Sequence, residues 1–308
     1  MSVSVERVNQ SSTPVSDISA DAELVGRMIA EQHPDLAGPL RLVSDGWDNR
    51  IFRLGDDFAV RVPRREVAAH LIEHEQQVLG AIAERVAVPV PAPVRVGVPS
   101  ATFPWPWSII RWLEGVDGAS VDAPARAVIA EPLAAFVRAL HIPAPADAPV
   151  NPVRGVPLAT RDAAVRDRIA LLAARLDTTA LTAAWEDALA APVWDGPALW
   201  LHGDLHPGNL VLHSADGTAE GVDGLAAVID FGDVTAGDPA TDLATAWLTF
   251  DGSAREAFRA AFDGTVDDAT WRRARGWAVT MGTALAAHSD DNPRMGGIGR
   301  HALAQLAG

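Results

Sequence analysis

Residues 199–213 read LWLHGDLHPGNLVLH, and residues 226–244 read AAVIDFGDVTAGDPATDLA. Apolar runs at 199–201 and 210–212 flank the polar segment HGDLHPGN, and a third at 226–229 leads straight into Asp230-Phe231-Gly232. Each run has the length and composition of a short buried strand. A polar loop at the end of such a strand rests on a rigid support, a good place to hold chemical groups in fixed relation.

Asp204 and Asn209 stand five residues apart, the Asp-x-x-x-x-Asn spacing of a kinase catalytic loop, and Asp230 opens an Asp-Phe-Gly. Either motif alone is a common turn. Both in this order, each after an apolar strand, point to phosphoryl transfer. A nucleoside triphosphate is carried on magnesium, a hard ion that takes oxygen ligands. Asn209 offers a neutral oxygen and Asp230 a charged one. Asp204 is left to orient an acceptor hydroxyl and take its proton.

HGDLHPGN, IDFGD and GDPATDLA resemble the aminoglycoside phosphotransferase family, which holds antibiotic kinases and kinases of small metabolites. The resemblance runs from about residue 41 to the C-terminus. It implies an α+β, two-lobed protein-kinase-like fold. The N-lobe, residues 1–113, would be a small antiparallel sheet with one long helix, residues 1–20 forming a loose arm. Residues 114–118 would be the hinge, and residues 119–308 a larger, mostly helical lobe carrying the catalytic loop and the acceptor site.

Bulk properties exclude several other classes. At 308 residues, 48% hydrophobic and 21% charged, the chain is globular and long enough for two lobes. No run of 18 apolar residues indicates a membrane span, and no basic-then-apolar leader opens the chain, so the expected location is cytoplasmic. There is no cysteine, which removes disulfides and thiolate chemistry. A net charge of −15 argues against nucleic acid as a partner. It would attract a cationic small molecule, though solubility accounts for it equally well.

In the N-lobe, apolar residues at helical spacing predict a helix at 21–32, and alternation predicts three antiparallel strands within 41–63, in RLVS, NRIFRLG and FAVRVP. The turn between the first two holds Ser44, Gly46 and Asn49, in the place of a nucleotide-covering loop whose amides meet phosphate oxygens. The third strand carries Arg61 where the kinase pattern has lysine. Its fork suits phosphate oxygens. The run RVPRR resembles macrolide phosphotransferases, which also carry arginine there; Arg64 and Arg65 read as solvent-facing. The next helix, 66–86, holds Glu75 where the resemblance implies the partner of that cation. It also implies that backbone near Ile110 and Trp112 reads the purine edge.

The helical lobe is expected to hold helices at 123–141, two within 160–191, and others at 239–250, 254–262, 270–288 and 293–306. A proline-rich loop at 142–157 either borders the acceptor or is a stiff linker. Asp242 reads as a buried carboxylate that ties down the catalytic loop, and His202 as a brace of the same loop. His206 lies close enough to meet substrate or phosphate.

The resemblance favours GTP as donor, with ATP possible, and a macrolide 2′-hydroxyl as acceptor. An aminoglycoside or a small metabolite is the alternative, and a non-catalytic pseudokinase the rival of another class, because the usual lysine is missing. Oligomeric state is not legible in the sequence.

Overall fold

The structure is a computed structural model that describes residues 15–307. Most of the arm expected at residues 1–20 lies outside it. Residues 16–20 lie against the first sheet: Asp17 N–H donates to Arg64 O at 2.9 Å, and Ala20 is buried.

The N-lobe begins with α1 (Ala22–Gln32), capped by Asp21, whose Oδ1 accepts from Leu24 N–H at 2.8 Å. Strands β1 (Leu40–Asp45), β2 (Asn49–Leu54) and β3 (Phe58–Pro63) follow, then α2 (Glu66–Ala83), β4 (Pro93–Gly97) and β5 (Trp107–Arg111). The five strands form one antiparallel sheet in the order β1-β2-β3-β5-β4. Alternating residues Phe52, Leu54, Val60 and Val62 pack with Met28 and Ile29 of α1 and with Trp107 and Ile109. Helix α2 faces the other way. Its Val78, Leu79 and Ile82 join the core of the C-lobe, so this helix packs against both lobes.

The linker is itself a strand. β6 (Val116–Asp117) pairs with β8 (Leu210–Ser214), which pairs in turn with β9 (Val222–Val228). A Cβ on Gly118 would lie 2.7 Å from Pro207 O, so the linker runs hard against the catalytic loop. The buried Arg126 guanidinium donates to the carbonyls of Gly118, Val121 and Thr249 and ties the linker to the helices.

The helical lobe comprises α3 (Ala130–Leu140), α4 (Asp162–Leu172), α5 (Thr179–Leu189), α6 (Ala240–Leu243), α7 (Thr245–Thr249), α8 (Gly252–Ala260), α9 (Asp268–His288) and α10 (Pro293–Ala307). Between α5 and α6, a two-stranded ribbon pairs β7 (Leu199–Leu201) with β10 (Thr235–Gly237). The helix expected from 123 opens instead as a 3-10 segment at Ala125–Ile129. Pro132 has no N–H and its ring clashes with a carbonyl four residues back, so α geometry starts only at Ala130. α9 is the spine of the lobe: Trp277, Ala278 and Val279 are fully buried among α4, α5, α6 and α10. No helix among the described residues is long and apolar enough to cross a membrane.

Gly118→Ala is expected to destabilise the protein by about 1–3 kcal/mol, because the new methyl overpacks the linker against Pro207. A lower denaturant midpoint with an unchanged slope is the confirming result.

Candidate active site

Strand β7 ends at Leu201, and the chain then turns sharply through His202, Gly203 and Asp204. Gly203 has φ +86, and a Cβ there would lie 2.3 Å from Asp233 O, so only glycine fits. The turn is anchored by Asp242, which is fully buried. Its Oδ2 accepts from His202 N–H and its Oδ1 from Gly203 N–H, both at 2.8 Å, while His141 Nε2 approaches Oδ2 at 3.1 Å. Burial pushes this carboxyl up, but His141, His202 and the Gly203 amide outweigh it and hold the carboxyl below its ordinary value. His202 braces the loop from within. Its Nε2–H donates to Ile229 O at 2.9 Å, and its Nδ1 accepts from Asp204 N–H at 3.2 Å.

Asp204 projects from this turn with about a quarter of its side chain accessible. His206 Nδ1 accepts from Gly208 N–H, which leaves the proton on Nε2, 3.2 Å from Asp204 Oδ2. His206 is buried and oriented onto Asp204, so it supports that carboxylate rather than reaching substrate as the sequence suggested. Asn209 Nδ2 donates to Asp204 O at 2.8 Å, which leaves its Oδ1 available as a ligand. Burial raises the Asp204 carboxyl, yet His206, Arg154 and His202 together hold it well below the ordinary carboxylate range. It is therefore ionised at neutral pH.

Asp230 follows on the next strand-to-loop junction. Ile229 N–H donates to Asn209 O at 2.9 Å, which sets the two oxygen-bearing residues side by side. Asp230 has φ +64, a left-handed conformation that aspartate tolerates better than most residues, and its side chain is 58% exposed. Arg61 reaches it from β3, with Nη2 3.6 Å from Asp230 Oδ1, while Nη1 donates to Glu75 Oε1 at 2.8 Å. Arg61 and Glu75 are both buried, and Arg61 Nε has no hydrogen-bond partner among the described residues. Burial pushes the Glu75 carboxyl up to about 7 against the pull of Arg61.

Three expectations about the nucleotide side need correction. Arg64 and Arg65 do not face solvent. Arg64 Nε lies 2.9 Å from Asp45 Oδ1 and its Nη1 donates to Gly46 O, while Arg65 Nη2 lies 2.6 Å from Asp48 Oδ1. Two arginines thus clamp the turn between β1 and β2. Within that turn Gly46 N–H is spent on Asn49 O at 3.0 Å, Ser44 and Asn49 belong to the flanking strands, and Asn49 Oδ1 is buried without a partner. The hairpin consumes the Gly46 amide, one of those the turn was expected to offer to phosphate. Ile110 lies inside β5 between β3 and β4, and Trp112 N–H donates to Asp57 O at 2.8 Å. Residues 113–115 follow β5 outside the sheet ladder.

Sequence reasoning missed three residues. Arg154, from the proline-rich loop, donates from Nη2 to Asp204 Oδ1 at 3.1 Å, and the same nitrogen is 4.0 Å from Asp233 Oδ2. Asn151 Nδ2 donates to Asp233 Oδ1 at 2.6 Å. That loop therefore borders the site. Arg294 of α10 donates to Asp117 Oδ1 at 2.7 Å and to Gly208 O at 2.8 Å, joining the last helix, the linker and the Asn209 turn. No local pattern marks Arg294; the loop's length was the only signal for Arg154.

Asp242→Asn would turn an amide NH₂ toward backbone N–H donors. A loss of about 2–4 kcal/mol is expected, and a fall in any turnover of about a hundredfold. Because the folded-state pKa of Asp242 lies below its unfolded value, its stabilisation is complete above about pH 4 and is lost as pH falls lower. Stability of the Asn variant should depend less on acid. Glu75 has the opposite sign. Folded, it keeps its proton between about 4.5 and about 7 while the unfolded chain has released it, so stability declines as pH rises through that window. Denaturation of Glu75→Gln across pH 4–8 should lack that decline.

Comparison with known proteins bears on the family and the fold. The phosphotransferase enzyme family matches residues 39–277. No curated protein sequence matches. Among solved structures, the GDP and kanamycin complex of APH(2")-IIIa is 21% identical, covers 92% of this chain and 97% of that one, and has a TM-score of 0.66. Macrolide 2'-phosphotransferase MphH from Brachybacterium faecium, as the apoenzyme, is 22% identical over 91% of this chain and 97% of that one, with a TM-score of 0.60. Macrolide 2'-phosphotransferase type I is 21% identical over 96% and 99%, with a TM-score of 0.58. The fold is that of these kinase-like enzymes, and with a match spanning most of its length the chain belongs to the phosphotransferase enzyme family.

Proposed function

We propose that the protein transfers the γ-phosphate of a nucleoside triphosphate to a hydroxyl of a small molecule. The observation that carries this reading is the convergence at one loop. An ionised, accessible Asp204 is bonded to the Asn209 turn, and Asp230 follows the residue hydrogen-bonded to that turn. Asp204 would accept a hydrogen bond from the acceptor hydroxyl and align it with the phosphorus. Its depressed pKa makes it a weak base before the reaction, so it receives the proton only as the bond to phosphorus forms.

Magnesium fits the donor set. Asn209 Oδ1 is left over once its amide nitrogen is engaged, and the Asp230 carboxylate is exposed; both are oxygens, with positions left for phosphates and water. Bound there, magnesium would neutralise charge on the phosphate oxygens. Arg61, steered by Glu75, supplies a second cation with a rigid fork.

For the finer assignment, the run RVPRR favours GTP over ATP and a macrolide 2'-hydroxyl as acceptor, with an aminoglycoside or metabolite as alternatives. That run lies in the nucleotide lobe, so it bears on the donor more directly than on the acceptor.

Asp204→Asn is expected to lower turnover about a thousandfold while nucleotide affinity stays within a few-fold. The assay is the one-phosphate mass gain of erythromycin, kanamycin and a metabolite panel with magnesium and either nucleotide. Undiminished transfer in the variant would sink the role given to Asp204. Nucleotide binding without transfer or hydrolysis would identify a pseudokinase.

A further inference from the structure

Three arginines extend from Asp204 into the helical lobe. Arg154 lies on Asp204 at 3.1 Å. Arg161 ends the 3-10 segment Leu158–Arg161 that leads into α4. Arg168 follows seven residues later, two turns on and so on the same face. Arg168 is held in place by α9: its Nε donates to Thr283 Oγ1 at 3.1 Å and its Nη2 to Thr280 O at 3.2 Å.

The charges of Arg161 and Arg168 are not compensated by an ion pair. Neither has a carboxylate within salt-bridge distance among the described residues, and Arg161 makes no hydrogen bond there although its Nε is buried. Asp167 attracts Arg168 without pairing with it, and the other neighbouring acids are engaged elsewhere. Asp162 and Glu186 hold Arg166, Asp187 holds Arg272, and Asp238 holds Arg273. Burial, and after it repulsion from Arg154, lowers the pKa of Arg161; burial, then repulsion from Arg161 and Arg154, lowers that of Arg168 against the pull of Asp167. A partly buried guanidinium that lacks an ion pair is costly unless a ligand supplies the anion.

The cluster is distinct from the nucleotide cation. Arg154 interacts with Asp204, Asp233 and Asp242, whereas Arg61 interacts with Glu75 and Asp230, and the two sets share no carboxylate. Arg154 therefore stands beside the carboxylate that meets the acceptor hydroxyl, and Arg161 and Arg168 are near enough to Arg154 to feel its charge.

We propose that the acceptor carries an oxyanion, a carboxylate or a phosphate, which Arg161 and Arg168 bind while Arg154 spans the distance to Asp204. The inference rests on the kinase reading and narrows its acceptor. A planar guanidinium fork matches either oxyanion in bidentate fashion. An aminoglycoside, or the amino sugar of a macrolide, would bring further positive charge to the same face, so the inference departs from the macrolide acceptor favoured by the small-lobe resemblance.

The test uses the full chain with magnesium and GTP or ATP. Three acceptor sets are offered: hydroxy acids such as glycerate and gluconate, sugar phosphates such as glucose 6-phosphate, and the amines kanamycin and erythromycin. One-phosphate mass gain is expected in an anionic set, and the set that reacts distinguishes carboxylate from phosphate. Arg161→Gln and Arg168→Gln should raise the acceptor KM about tenfold or more, with nucleotide Kd within twofold, and Arg161→Lys should recover most of the loss. With the nucleotide site filled by a non-hydrolysable GTP analogue, millimolar inorganic phosphate or citrate should raise Tm by about 2 °C or more in the parent chain and not in Arg161→Gln. Labelling of the amines alone, or an anion effect that is absent or survives the Gln substitution, overturns the proposal and leaves the kinase reading intact. Nucleotide consumption no faster than in Asp204→Asn with every acceptor overturns the kinase reading, and this inference falls with it.

Discussion

One buried carboxylate organises the site. Asp242 accepts the amides of His202 and Gly203 at 2.8 Å and fixes the turn from which Asp204 projects. Those amides face away from solvent, so without Asp242 they would be unsatisfied donors in the core of the lobe. Two features depend on this anchor. His202, held at its own N–H, bonds Ile229 O and so positions the segment before Asp230. Gly203, in a conformation open to glycine, lets the chain pass Asp233 within contact distance. The two loops that carry oxygen-bearing side chains are thus locked to each other through backbone and one carboxylate, which preorganises them before any ligand arrives.

The arginine at position 61 changes the character of the nucleotide side. A lysine would place a single compact charge there; the guanidinium reaches Glu75 with one nitrogen and Asp230 with the other. Both Arg61 and Glu75 are buried, and burial opposes ionisation of Glu75 strongly enough to raise its pKa to about 7. The pair therefore contributes little to stability by itself. Its value lies in holding a cation at a defined place next to Asp230. The same preference for arginine clamps the β1–β2 turn, where Arg64 and Arg65 bind Asp45 and Asp48.

Charge is distributed unevenly. The chain carries −15 overall, yet its interior contains guanidiniums at 61, 126 and 273, and a half-buried one at 154, bonded to carbonyls or carboxylates. The net acidity belongs to the exposed surface and keeps the protein soluble. Near Asp204 the Arg154 guanidinium stands among the carboxylates of Asp204, Asp233 and Asp242, so the local charge there is balanced pair by pair and not set by the net charge of the chain.

Local sequence determined much of this protein. Alternation placed the strands of the N-lobe, 3.6-residue periodicity placed the buried faces of α2 and α9, and Asp204, Asn209 and Asp230 were marked by spacing within two short motifs. These features depend on neighbours along the chain, and such patterns record them directly. Only the tertiary structure decided which side chains close the site. Arg154 meets Asp204 across 50 residues and Arg294 meets Asp117 across 177, contacts that no local periodicity encodes. It also decided that the Gly46 and Trp112 amides, polar groups with every local reason to face a nucleotide, are taken by Asn49 and Asp57. A backbone donor goes to the acceptor that the packed fold brings nearest, and the sequence states which groups exist but not which of them meet.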